Sequence, residues 1–178
     1  MRVITGSAKG RRLITPNGSD VRPTVDRVKE GIFSALQFDL EGRRILDLFA
    51  GSGQLGIEAI SRGAKSAVFV DSAASSIKCV KQNIANCEFE DVSSVISMDS
   101  ISYINTTKDI FDIAFLDPPY KMGLIEKVIP SLEKCMSDFG IIVCEHALDE
   151  ELSSEYGAFS LKKQYRYGKV MVSVYKRD

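Results

Sequence analysis

A short apolar run, Arg44–Phe49, leads straight into Asp47-Leu48-Phe49-Ala50-Gly51-Ser52-Gly53-Gln54-Leu55-Gly56, and Leu55–Arg62 then continues as a helix pattern. The glycines read G-x-G-x-x-G between an expected strand and an expected helix. In that context only glycine lets the backbone come close to a ligand at the edge of a sheet. The rest of the chain has to build a fold in which such a strand–turn–helix corner is useful.

The flanking sequence supplies one. Apolar strand-like runs at Ser66–Asp71, Val92–Met98, Ile110–Leu116 and Gly140–Glu145 alternate with helix patterns at Ser75–Asn86 and Leu124–Met136. Strand–helix–strand alternation predicts a parallel sheet covered on both faces, which suits strands that are apolar throughout. The tail differs. Ala158–Tyr165 and Lys169–Tyr175 alternate around Tyr167-Gly168 and predict a hairpin, whose short turn forces antiparallel pairing. Upstream, residues 2–5 and 11–15 are short β-prone runs joined by a Gly-rich turn, and Thr15–Asp20 is a loop. Thr24 is placed to cap a helix reaching about Phe38. The expected fold is α/β, a mostly parallel doubly wound sheet ending in an antiparallel hairpin. A small extension, residues 1–40, packs on a core domain of residues 41–178.

Charge separates the ends from the middle. Residues 1–44 carry nine Lys/Arg against five Asp/Glu, residues 162–178 six against one, and residues 45–161 eight against eighteen. The net charge of −1 therefore hides two basic ends on an acidic body. If both ends reach one face, they form a patch for a polyanion. No apolar run approaches the roughly 18 residues of a membrane span, and the first residues lack the apolar stretch of a secretory signal. Four cysteines without a CxxC pair, and a single histidine, His146, argue against a zinc site and for reduced thiols.

Three aspartates follow or end expected strands: Asp47, Asp71 and Asp99. Strand ends line the ligand crevice of a doubly wound sheet. Asp71 lies 20 residues after Gly51, where an acidic residue reaches a ribose hydroxyl. NAD and S-adenosylmethionine both satisfy this much. Asp47 favours the second, because a carboxylate at the head of the loop repels a pyrophosphate and suits a cationic sulfonium and ammonium. Aspartates at strand ends also commonly cap the next turn, and that reading stays open for Asp99.

The second motif is Asp117-Pro118-Pro119-Tyr120, at the end of an apolar strand. Two prolines fix the backbone and remove two N–H donors, leaving carbonyls beside a carboxylate. Such a group of acceptors suits the exocyclic NH2 of a nucleobase, and Tyr120 offers a ring to stack the base. Its work is orientation and electrostatics: two acceptors favour a pyramidal nitrogen whose lone pair can point at a methyl sulfonium.

Asp47–Gly53 together with Asp117–Tyr120 resembles the class I methyltransferases that act on planar amino nitrogens. Arg2-Val3-Ile4-Thr5-Gly6, Lys9-Gly10-Arg11-Arg12-Leu13, Arg22-Pro23-Thr24 with Asp26-Arg27-Val28-Lys29-Glu30, Leu55–Ala59, Ser61–Ala64 and the ending Tyr167-Gly168-Lys169-Val170 resemble the RsmD-like 16S ribosomal RNA (guanine-N2)-methyltransferases over essentially the whole chain. The resemblance implies a Rossmann-like methyltransferase sheet, S-adenosylmethionine as cofactor and no metal. It implies a guanine of 16S ribosomal RNA in the small subunit as target, and a cytoplasmic enzyme, expected as a monomer. Asp117, Pro118 and Tyr120 would hold the guanine, with Pro119 beside it. Asp47, Phe49, Ala50, Gly51 and Gly53 would surround the methionine part of the cofactor, Asp71 the ribose and Asp99 the adenine amino group. Lys9, Arg11 and Arg12 are expected to grip RNA, and Arg22 and Thr24 to close over the site. The sequence departs from the family at Asp71-Ser72-Ala73-Ala74, where a Glu is usual. A DNA amino-methyltransferase of adenine or cytosine is the alternative enzyme, and a cofactor-binding assembly factor without catalysis is the alternative to an enzyme.

Overall fold

A computed structural model describes residues 1–16 and 23–178, the side chains of residues 23–25 excepted. Helix α1 (Pro23–Ala35) is followed by β1 (Arg44–Asp47), α2 (Gln54–Ser61), β2 (Ser66–Asp71), α3 (Ala74–Cys87), β3 (Ser93–Ser97), α4 (Ser100–Thr106), β4 (Phe111–Leu116), α5 (Leu124–Leu132) and β5 (Met136–Ala147). A short strand β6 (Glu155–Tyr156) and the hairpin β7 (Phe159–Tyr167) and β8 (Val170–Arg177) complete the chain. The strands form one sheet in the order β3-β2-β1-β4-β5-β8-β7-β6. Pairing is parallel from β3 through β5 and antiparallel beyond it. The expected α/β fold with a mostly parallel sheet and an antiparallel end is the one observed. Strand order reverses between β1 and β4, and a doubly wound sheet opens its ligand crevice at that point.

Alternation along each strand sorts the core into two layers. Ile45, Phe69, Ile113, Phe115 and Val143 face one side, where the N-terminal hairpin, α1, α2 and α3 cover them. Leu46, Val70, Ala114, Leu116 and Ile142 face the other, under α4 and α5. The third glycine of the loop serves this packing: a Cβ on Gly56 would lie 2.3 Å from Phe69 Cε1, so glycine lets α2 sit directly on β2. Gly31 does the same for α1, where a Cβ would meet the Tyr167 hydroxyl.

Several boundaries differ from expectation. Helix α4 falls in a stretch without a predicted element; Asp99 caps it, its Oδ1 accepting from Ser102 N–H at 3.0 Å, and Tyr103 and Ile104 bury its inner face. The helix predicted to reach Met136 ends at Leu132, passes through a 3₁₀ turn at Glu133–Cys135 and gives way to β5 at Met136. β5 starts early because Met136 already pairs with Phe111 of β4; a bulge before the Ile113–Ile141 pair takes up the extra residues. β1 stops at Asp47, so Leu48 and Phe49 belong to the loop. The N-terminal hairpin forms no full strands: around the Arg2–Arg12 bridge, backbone hydrogen bonds join Val3 to Arg11, Gly10 to Val3 and Leu13 to Met1.

What fastens that hairpin is a buried carboxylate. Glu58, on α2, is fully buried; Oε2 accepts from Ile4 N–H at 2.8 Å and Oε1 from Thr5 N–H at 3.0 Å. It also pairs with Lys29 at 3.3 Å and with Arg62 at 2.9 Å. Lys29 is itself buried and donates to the Arg2 carbonyl at 2.6 Å. Burial pulls the Lys29 pKa down, and the Glu58 charge opposes that pull. Four basic or amide partners thus converge on one acid, and removing it strands a buried ammonium. Glu58→Ala is expected to lose about 3–5 kcal/mol of stability in urea unfolding and the amide protection of Ile4 and Thr5. Unchanged protection there would contradict the anchor.

Candidate active site

The crevice lies where the sheet geometry puts it. A cavity of about 630 Å³ opens at the C-terminal ends of β1, β2 and β4 and is lined by Phe49, Gly51, Asp71, Met98, Asp117 and Tyr120, among others. Among the described residues that line it, no lysine or arginine occurs. The three expected pieces, the glycine loop, the end of β2 and Asp117–Tyr120, therefore meet in one space.

Two carboxylates shape the loop. Asp71 Oδ2 accepts from Gly51 N–H at 2.9 Å, while its Oδ1 accepts from Ala73 N–H at 2.8 Å. Asp47 Oδ2 accepts from Gly56 N–H at 2.9 Å. Gly51 and Gly53 adopt φ of 55° and 76°, the left-handed region that side chains disfavour. A Cβ on Gly51 would project into open space, whereas one on Gly53 would press on Phe69 and Val80 at 3.3 Å. Gly51 thus faces the cavity and Gly53 packs inward. Ala50 is buried, tied by its N–H to the Val70 carbonyl at 3.0 Å. Asp47 is only 2% exposed and lies behind the loop. Burial, reinforced by the Asp71 charge and opposed by the Gly56 hydrogen bond, pushes its carboxyl up to about 7.

Asp117 is placed differently. Neither of its oxygens has a hydrogen-bond partner among the described residues, and it lines the cavity. Burial first, then the negative charges of Glu145 and Asp47, hold its carboxyl well above the ordinary range. No backbone donor takes the Pro118 carbonyl among the described residues. Pro119 and Tyr120 are exposed at the mouth. The Tyr120 hydroxyl donates to Glu145 Oε1 at 2.6 Å. Burial and the Glu145 charge push the Tyr120 hydroxyl pKa far up, so the phenol stays protonated. Lys121, in the left-handed region at φ 61°, turns the chain away and is pinned by Asp149 and Glu150. The acidic stretch after β5, silent in the sequence, thus braces the end of the motif. Glu145 was not among the expected site residues; its only signal is a charged residue inside the apolar run Ile141–Ala147.

Asp99 spends one oxygen on the α4 cap, and its neighbours Met98 and Ser100 line the cavity. The basic residues divide by location. Lys9, Arg11 and Arg12 sit against the C-terminal ends of α2 and α3, away from the crevice: Ala8 N–H reaches Ser61 Oγ, and Arg11 binds the Asn86 carbonyl and Glu88 at 2.7 Å. Arg11 is therefore already paired. Arg22 and the Thr24 side chain lie outside the described residues. The tail, by contrast, reaches the crevice edge of the sheet. Val170 pairs with Ala147 at the end of β5, and Leu148 N–H binds the Lys169 carbonyl at 2.9 Å. There Arg166, Tyr167 and Gly168 line a groove against Arg27, Glu30 and Gly31 of α1. Of the basic N-terminal segment, Arg27 thus lies beside Arg166 of the tail, whereas Lys9, Arg11 and Arg12 do not.

Known proteins share this sequence and fold over nearly the whole chain. The family model described as Conserved hypothetical protein 95 matches residues 1–176. YlbH of Bacillus subtilis (strain 168) is 38% identical over 182 residues, which span 99% of this chain and 99% of the relative. Ribosomal RNA small subunit methyltransferase D of Escherichia coli (strain K12) is 31% identical over 180 residues, 100% of this chain and 90% of the relative. The solved structure of yhhF from Escherichia coli superposes with a TM-score of 0.90 at 32% identity, covering 100% of this chain and 98% of that one.

The buried Asp47 has a stability signature. Unfolded, it releases its proton near the ordinary 3.8; folded, it holds it to about 7. In that window the native state binds the extra proton, so stability falls as pH rises through it and stays low above it. Asn cannot ionise and keeps an oxygen for Gly56 N–H. Asp47→Asn is expected to be more stable than the parent by on the order of 2–4 kcal/mol at about pH 8, the gap closing below about pH 4. Denaturant titrations at both pH values check this, and a less stable variant at the higher pH contradicts it.

Proposed function

Because the chain belongs to the Conserved hypothetical protein 95 family, the RsmD-like methyltransferases, we propose that it methylates the exocyclic N2 amino group of a guanine in 16S ribosomal RNA, within the assembled or nearly assembled small subunit, using S-adenosylmethionine. The observation that carries the reading is the unpartnered Asp117 carboxylate beside the free Pro118 carbonyl, in a cavity whose described walls hold no basic side chain. A pyrophosphate would find no cation there. A sulfonium and an ammonium would find Asp47, Asp71 and Asp117.

The residues present fit that cofactor. Asp71 is fixed by two backbone N–H groups and keeps lone pairs for ribose hydroxyls. Gly51 leaves the backbone open to close approach, and Phe49 and Met98 supply apolar wall. Asp47, whose Oδ1 has no partner among the described residues, would favour the amino end. The cofactor supplies an electrophilic methyl group whose bonding electrons leave with sulfur as a neutral thioether. The chain's own residues prepare the acceptor. Asp117 and the Pro118 carbonyl take the two amino hydrogens, which disfavours conjugation with the ring and frees the nitrogen lone pair. Tyr120, its hydroxyl tied to Glu145, presents its ring to the base. As nitrogen bonds to the methyl carbon it becomes cationic, and Asp117, with its raised proton affinity, receives the surplus proton.

RNA is held outside this acidic pocket. Arg27, Arg166 and Lys169 rim the catalytic edge, while Lys9 and Arg12, exposed and without an ion pair among the described residues, extend the basic surface on the far side. Phosphate contacts position the strand, and the unpaired base is then read inside.

Two measurements test this. Asp117→Ala is expected to cut methyl transfer at least about 100-fold while calorimetry still detects S-adenosylmethionine binding; retained turnover contradicts the acceptor role, and an assembly factor would keep its assembly effect. Arg166→Ala with Lys169→Ala is expected to lower the slope of log affinity against log salt by about 1.4–1.8, and an unaltered slope removes these residues from the RNA path.

A further inference from the structure

Asp117 has a carboxylate neighbour that the amino-group chemistry alone does not need. Leu116 of β4 pairs with Cys144 of β5, so Asp117, just past the end of β4, stands beside Glu145, the next residue of β5. Glu145 Oε1 is occupied by the Tyr120 hydroxyl at 2.6 Å, which fixes the carboxylate in place. Glu145 Oε2 has no partner among the described residues, nor has either Asp117 oxygen. The Tyr120 hydroxyl is spent on Glu145. The lining hydroxyls of Ser72, Ser76 and Ser100 stand on the segments after β2 and β3. On the β4 side of the crevice, where Asp117 meets the base, the groups left over are acceptors.

That composition discriminates among bases. Guanine presents its amino group beside a ring N1–H, two adjacent donors. Adenine and cytosine present theirs beside a bare ring nitrogen, an acceptor. A fixed carboxylate facing a bare nitrogen leaves both groups unpaired, which is costly in a dry site. Resting on the guanine reading above, we infer that Glu145 is the specificity-determining residue: held by Tyr120, it accepts the ring N1–H of guanine while Asp117 and the Pro118 carbonyl hold the neighbouring amino group. The motif Asp117–Tyr120 selects an amino nitrogen; Glu145 selects the base that carries it.

The probe is 2-aminopurine, which keeps the amino group of guanine and lacks the ring proton. It is ligated into 16S ribosomal RNA at the methylated position, and the RNA is rebuilt into small subunits. The parent enzyme is expected to methylate guanine at least about 100-fold faster than 2-aminopurine. Glu145→Gln keeps an oxygen for the Tyr120 hydroxyl and can offer an N–H to the bare nitrogen. It is expected to shrink that preference about tenfold or more, with cofactor affinity unchanged. A variant that slows both bases alike and keeps the ratio overturns the inference, because a purely structural Glu145 behaves so. A parent enzyme that methylates both bases at similar rates overturns it without any variant, and leaves the guanine reading standing. A parent enzyme that methylates no guanine at all removes the guanine reading and this inference with it.

Discussion

Two carboxylates clamp the glycine loop, and the site takes its character from them. Asp71 holds Gly51 from the crevice and Asp47 holds Gly56 from behind the loop, so the loop is pinned at both ends by carboxyl groups. The clamp lets the backbone follow the left-handed turn at Gly51 and Gly53 without side chains. It also concentrates like charge where water is scarce. Asp47 answers by keeping its proton to about 7, and Asp117 by rising with it. A pocket under that tension is completed by a cation rather than by a phosphate, and its proton-hungry acids suit a reaction that releases a proton from nitrogen.

The same chain keeps opposite charge outside. Four acids of the middle, Asp47, Asp71, Asp117 and Glu145, gather at the crevice, while the basic ends are held by separate anchors. Glu58 ties down the N-terminal hairpin through buried ion pairs and backbone N–H groups. The antiparallel pairing of β8 with β5 delivers Arg166 and Lys169 to the catalytic edge. On the proposed reading two tasks are separated: basic residues at the edge hold a polyanion, and the acidic pocket admits one neutral base.

Much of this was legible in the sequence because its carriers are local. A G-x-G-x-x-G corner and Asp117-Pro118-Pro119-Tyr120 impose their geometry over a few residues, so the fold class and the residues that meet in the crevice could be read from them, while the strand order could not. The features missed depend on distant partners. Glu145 is one charge in an apolar strand until β4 sets it beside Asp117. Glu58 reads as a surface residue of α2 until the N-terminus closes over it. Arg11 reads as a free cation until Glu88, 77 residues away, takes it. Helix α4 has only seven residues and one cap, too few for periodicity to mark it. The expected RNA grip by Lys9, Arg11 and Arg12 rested on charge density, which carries no information on which end of the sheet a turn will face.

The central claim is that this acidic crevice delivers a methyl group to the amino nitrogen of a guanine in small-subunit ribosomal RNA. Its most direct measurement is nucleoside analysis after labelled-methyl transfer from S-adenosylmethionine to unmodified small subunits, with free 16S ribosomal RNA and duplex DNA in parallel. The account predicts label in N2-methylguanosine from subunits or their RNA, and none from DNA. Label in N6-methyladenine or N4-methylcytosine of DNA would contradict it.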